Sequence, residues 1–145
     1  MPYQIIYSSV SSTPMQQDDL EDILENAQSN NAAEGITGAL VYVDGHFMQI
    51  LEGERSAVGP LMGRIAKDLR HESVVLLLEG DVEVASFPDW TMAYVSATPE
   101  QVAQWAGLGA ASSPPHVWAS MRHNPEKAAQ VARSILSVLN GSAPS

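Results

Sequence analysis

The chain has 145 residues but no cysteine, only two phenylalanines, only seven basic residues and no long apolar run. Without cysteine it can form no disulfide, no thiolate metal site and no thiol nucleophile. The seven lysines and arginines face 17 aspartates and glutamates, giving a formal net charge of −10 with no basic stripe. Phosphate backbones would be repelled over most of such a surface, so no direct nucleic-acid partner is expected. No segment is long enough to span a bilayer, and the N-terminus lacks the basic and apolar regions of a signal peptide. A cytoplasmic protein without a membrane partner is the expectation. His46, His71, His116 and His123 lack metal-ligand spacing, and no phosphate loop or nucleophile elbow is present, so neither a metal nor a hydrolytic site is expected. What is there is a composition 45% hydrophobic, sized for one domain with a C-terminal extension.

The stretch from His46 to Glu52 organises the rest. Phe47, Gln49 and Leu51 alternate with Met48 and Ile50, which is the period of a strand, and Asp44-Gly45 joins it to Ile36–Val43 as a tight hairpin. Tyr3 to Ser8 reads as a first strand with Ile5 and Tyr7 on one face. Leu20, Ile23, Leu24 and Ala27 recur at helical spacing from about Gln16 to Asn30, with Asn30, Asn31 and Gly35 as exit residues. Val58, Leu61, Met62, Ile65 and Leu69 predict a second helix, with Gly59-Pro60 in or near its first turn. The apolar run Val74 to Leu78 suits a strand covered on both faces, and Trp90 to Val95 alternates as a fifth strand with Trp90, Met92 and Tyr94 on one side.

The order β-α-β-β-α-β-β predicts an α+β, ferredoxin-like, five-stranded mixed sheet with two helices on one face. The other face needs a cover. Thr98-Pro99-Glu100-Gln101 has the form of a capping box and starts a helix over about 98–106. Gly107 to Pro115 reads as a linker, and a last helix over about 124–140 carries the stripe Ala128, Val131, Ile135 and Val138. This tail is expected on the open face, anchored by Trp105 and Trp118. The expected division is residues 1–97 and an extension over 98–145.

A buried glutamine at 49 needs polar partners. The helix-facing side of the sheet carries Tyr7 and Gln49, with Trp90 or Met92 close by; Asn31 sits at the rim, and Arg64 with Asp68 shares one face of the second helix at i, i+4. Singly, each has an ordinary structural explanation: a core tyrosine, a strand amide bonded to backbone, a helix C-cap, a surface ion pair. Their convergence on one cleft points to a planar ligand with polar edges.

Over about its first hundred residues the chain resembles the BLUF domains, blue-light receptors that use flavin. The resemblance is carried by Ile6-Tyr7-Ser8-Ser9, Asn30-Asn31, Gly35-Ile36-Thr37-Gly38-Ala39-Leu40, Phe47-Met48-Gln49-Ile50-Leu51-Glu52-Gly53, Arg64-Ile65 with Asp68 and His71, and Trp90-Thr91-Met92. It implies one non-covalent FAD between the two helices, held by Tyr7, Ile23, Asn30, Asn31, Phe47, Gln49, Leu51, Arg64, Ile65, Asp68 and His71. Asn31 would meet the ring's pyrimidine edge, Arg64 and Asp68 would support its C2 carbonyl side, and Ile23 and Ile65 would wall it. Tyr7 and Gln49 would be the photoactive pair, with Trp90 and Met92 as the residues exchanged beside the glutamine. Cysteine-adduct photochemistry is excluded by composition.

In such a receptor the excited flavin oxidises the neutral phenol, the transfer reverses, and Gln49 returns rotated or as a tautomer, because the two ends of an amide differ little in shape. A new bond to the flavin C4 carbonyl would shift absorption to the red. The expected output passes from the fifth strand through the C-terminal region to a downstream signalling protein or a changed homo-oligomer. No second catalytic domain is expected, so the chain reads as a short receptor and not an enzyme. The competing readings are a ferredoxin-like small-ligand-binding module or cofactor-independent oxygenase, and a pure interaction module. Neither explains Tyr7, Asn31 and Gln49 together.

Overall fold

A computed structural model of the chain describes residues 2–11, 17–67, 71–109 and 112–140. The elements are β1 (Tyr3–Ser11), α1 (Gln17–Glu34), β2 (Thr37–Val43), β3 (His46–Gly53), α2 (Arg55–Ala66), β4 (His71–Asp81), β5 (Ala93–Ser96), α3 (Pro99–Trp105), α4 (Pro114–Met121) and α5 (Pro125–Leu139). The five strands form one mixed sheet in the order β4-β1-β3-β2-β5. All pairings are antiparallel except that of β5 with β2. This is the expected α+β fold.

The sheet grows from the β2–β3 hairpin. Asp44 and Gly45 both take positive φ, 51° and 82°, as a two-residue turn matched to strand twist requires, and Val43 pairs with His46. β3 then lies centrally, opposite β1 in a register that places Tyr7 against Gln49 and Gln4 against Glu52.

The sheet's two faces carry separate cores. Tyr3, Ile5, Tyr7, Leu40, Phe47 and Leu51 meet Leu20 and Ile23 of α1 and Val58 and Leu61 of α2. On the opposite face, Ile6, Val41, Met48 and Ile50 join Val102, Trp105, Val117, Trp118, Val131 and Ile135 of α3, α4 and α5. Both expected tryptophan anchors are buried there.

Several sequence expectations change. α1 runs to Glu34, so Asn30 and Asn31 lie within its last turns instead of at its exit. Gly35, at φ 70°, ends the helix, and the Ile36 N–H donates back to the Asn31 carbonyl at 2.9 Å. α2 starts at Arg55, which puts Pro60 in its second turn, where the Ser56 carbonyl receives no amide from it. Leu69, expected on the stripe of this helix, lies outside the described residues. β4 is an edge strand: Val75 and Leu76 are 37% and 40% exposed, so the run is not covered on both faces. β5 begins only at Ala93, because residues 91–92 form a bend.

The expected linker contains α4. Ser113 accepts the N–H of His116 at 3.4 Å and Pro114 fills the first helical position. The local signal is a capping serine before proline, with Val117, Trp118 and Met121 following as a helical stripe. No helix among the described residues is long and apolar enough to cross a membrane.

Candidate functional site

α1 and α2 stand apart over the centre of the sheet and leave a cleft of about 160 Å³ lined by Tyr7, Ile23, Asn26, Ala27, Asn30, Asn31, Leu40, Gln49, Leu61, Arg64 and Ile65. Strand period puts Tyr7, Leu40 and Gln49 on its floor, and helical period puts Ile23, Ala27 and Asn30 along one wall. Ile65 and Leu61 form the other wall. The arrangement has apolar faces and amide edges.

The floor holds a buried polar chain. The Tyr7 hydroxyl donates to Gln49 Oε1, and Gln49 Nε2 donates to Met92 Sδ at 3.4 Å. Tyr7 is 1% and Gln49 6% exposed, so Gln49 satisfies its amide through these neighbours in place of water. Asn31, also buried, donates from Nδ2 to the Thr91 carbonyl at 2.8 Å, and Gln28 Nε2 donates to the Met92 carbonyl at 3.2 Å. α1 thereby holds the segment that leads into β5.

Of the residues expected around a ligand, Tyr7, Ile23, Asn30, Asn31, Gln49, Arg64 and Ile65 meet at this cleft. Phe47 and Leu51 share Gln49's face of β3 but lie fully buried in the core and are not part of the lining. Asp68 lies outside the described residues, as does the side chain of His71. Arg64, at the edge of the cleft, pairs with Glu34 of α1 at 3.1 Å, an exposed contact. Asn26, Ala27, Leu40 and Leu61 join the lining without having been expected there. For Asn26 the available signal is its spacing, since it stands four residues before Asn30 and therefore one turn away on the same face of α1.

Trp90 and Met92 separate. Met92 is buried in the core that contains Tyr7, whereas Trp90 packs half-buried against the opposite core. They do not share a strand face, since the bend at 91–92 breaks the alternation.

A flavin's dimethylbenzene and pyrimidine halves require apolar faces and an edge of alternating donors and acceptors. Isoleucine, alanine and leucine walls with asparagine and glutamine amides meet that requirement. Fold and cleft together describe a ferredoxin-like domain whose two helices enclose an apolar-walled, amide-edged cleft.

Residues 3–93 match the BLUF family, sensors of blue light using FAD, and the chain belongs to it. A photoactivated adenylate cyclase subunit beta from Euglena longa is 37% identical over 105 residues, covering 72% of this chain. The chain spans only 12% of that relative's length. Among solved structures, the BLUF protein BlrB in its dark state is 27% identical with a TM-score of 0.74, covering 94% of this chain and 96% of that one. BlsA in its photo-activated state is 28% identical with a TM-score of 0.77, covering 94% and 95%.

Proposed function

We propose that the chain is a blue-light photoreceptor, not an enzyme, whose FAD occupies the cleft between α1 and α2 and whose switch is the Tyr7–Gln49 pair. The observation that carries this reading is the position of Gln49, whose amide takes the Tyr7 hydrogen bond on one side and gives one to Met92 on the other. Ile23 and Ile65 would cover the ring's faces, Asn30 and Asn31 its polar edge, and Arg64 the mouth. Bound there, FAD would supply the blue-light absorption and the oxidising power, with Tyr7 as the electron donor.

The chain's own part follows from the hydrogen bonds. Tyr7's proton is already directed at Gln49 Oε1, so its loss and return pass through that amide. Gln49 can come back with donor and acceptor ends exchanged because both fit the same space. Such an exchange replaces the Nε2 donor facing Met92 with an acceptor and ends that contact. The change is thus delivered to the segment entering β5.

In this reading residues 1–97 sense and the helices from 98 onward transmit, either to a downstream signalling protein or by altering a homo-oligomer. The acidic surface favours a partner other than nucleic acid. The test is the visible spectrum of the flavin-loaded protein before, during and after blue illumination. The expected result is a small, reversible red shift, abolished in Gln49→Leu while flavin remains bound. An intact shift in that variant would remove Gln49 from the mechanism.

A further inference from the structure

Glu52 is wholly buried, on the face of β3 opposite Gln49, among the apolar residues beneath the C-terminal helices. Burying a carboxyl group there is costly unless its oxygens are fully engaged. They are: Oε2 accepts from Gln4 Nε2 at 2.9 Å and from the Ser86 N–H at 2.8 Å, and Oε1 accepts from the Phe87 N–H at 2.9 Å. An apolar side chain would fill the same space without that cost. It could not hold backbone N–H groups.

Those two amides belong to the connection between β4 and β5, and from them a chain of contacts runs to the cleft. The Phe87 carbonyl accepts the Trp90 N–H at 3.2 Å, the Trp90 carbonyl accepts the Gly38 N–H at 3.0 Å, and Met92 then reaches Gln49. Gln4 and Ser86 also line a groove of about 240 Å³ closed by Pro125, Ala128 and Ala132 of α5. The segment gripped by Glu52 therefore lies between the switch and the last helix.

We infer that Glu52 is a positioning residue: its carboxyl group fixes the 86–92 segment so that Met92 bears on Gln49, and thereby sets how readily Gln49 returns after light. This rests on the photoreceptor reading above. Glu52→Gln tests it, because neither orientation of the new amide can accept from both backbone N–H groups. An NH₂ at the Oε2 position opposes Ser86, and one at the Oε1 position opposes Phe87.

The experiment measures amide hydrogen exchange across 82–92, the light-induced red shift and the dark-recovery rate in FAD-loaded wild type and Glu52→Gln. In wild type the Ser86 and Phe87 amides should exchange at least tenfold more slowly than those of exposed Glu83 and Val84; equal rates would overturn the clamp whether or not the variant folds. In Glu52→Gln their exchange should accelerate at least tenfold and dark recovery at least threefold, with the red shift retained. A variant that is merely less heat-stable, with wild-type recovery, would overturn the positioning role. A wild-type protein that binds flavin but shows no red shift would instead sink the photoreceptor reading, while the exchange rates still report on the clamp.

Discussion

On the face covered by α3, α4 and α5, wholly buried Met48, Ile50, Val131 and Ile135 pack into an apolar layer. On the face covered by α1 and α2, a buried floor keeps Tyr7 and Gln49, α1 adds the buried Asn31, and a cleft is left between the helices. The closed face also has the better-secured helices. α3, α4 and α5 each begin with a capping side chain followed by proline, Thr98-Pro99, Ser113-Pro114 and Asn124-Pro125, whereas Glu54, at the N-cap of α2, makes no side-chain cap bond. The α3–α5 face engages its buried Gln4 and Glu52 in hydrogen bonds of their own, whereas the α1–α2 face turns its amides toward an open cleft, as a binding site needs.

The contrast can be broken by truncation. Ile135→Ala, on the closed face, should cost about 3 kcal/mol in dark denaturation while leaving the red shift unchanged. Ile23→Ala, on a wall that already borders a cavity, should cost less than half of that and weaken flavin binding. Equal losses would mean that the faces do not differ in packing. Next in size, Thr98→Ala removes the capping box that joins Thr98 and Gln101, and a loss of about 1 kcal/mol is expected. Arg64→Ala should change stability by less than about 0.5 kcal/mol, because its pair with Glu34 is well exposed, yet lower flavin affinity measurably.

The smallest effect is confined to alkaline solution. The Tyr3 phenol donates to Glu79 at 2.5 Å, and that bond, with burial, raises its pKa; burial raises that of Tyr94 against an opposing bond from Ser96. Both ionise near pH 10 when unfolded. Their stabilising contribution is therefore complete below about pH 10 and disappears as pH rises through the folded values. Denaturation midpoints should be flat from neutrality to about pH 9 and fall beyond about 10, less steeply in Tyr3→Phe.

The hairpin, both cleft helices and most of the residues that line the cleft were legible because each rests on a local signal: alternation around Gln49, helical spacing around Ile23 and Ile65, a turn dipeptide at Asp44-Gly45. What was not legible depended on long-range geometry. That Val74 to Leu78 forms an edge follows from sheet order, and that Trp90 and Met92 face opposite cores follows from where β2 admits its parallel partner. The role of Glu52 carries no local signal because its three donors come from residues far away in sequence. α4 is the exception, a local cap-and-proline signal hidden among small residues.

The connection from β4 to β5 must travel from one edge of the sheet to the other. Four strand spacings amount to roughly 19 Å, and the eleven residues from 82 to 92 reach about 36 Å at most. Reach is therefore ample, and what the crossing waits for is its destination, the free edge of β2 in a sheet already assembled across β1 and β3. β5, with four residues paired to β2, should be the last strand to join during folding. Met92 enters with it, so a partly folded chain could hold Tyr7 and Gln49 in register and still lack the Met92 contact through which, in the proposed reading, the pair is sensed. Sensing competence and completion of the fold would then coincide in time.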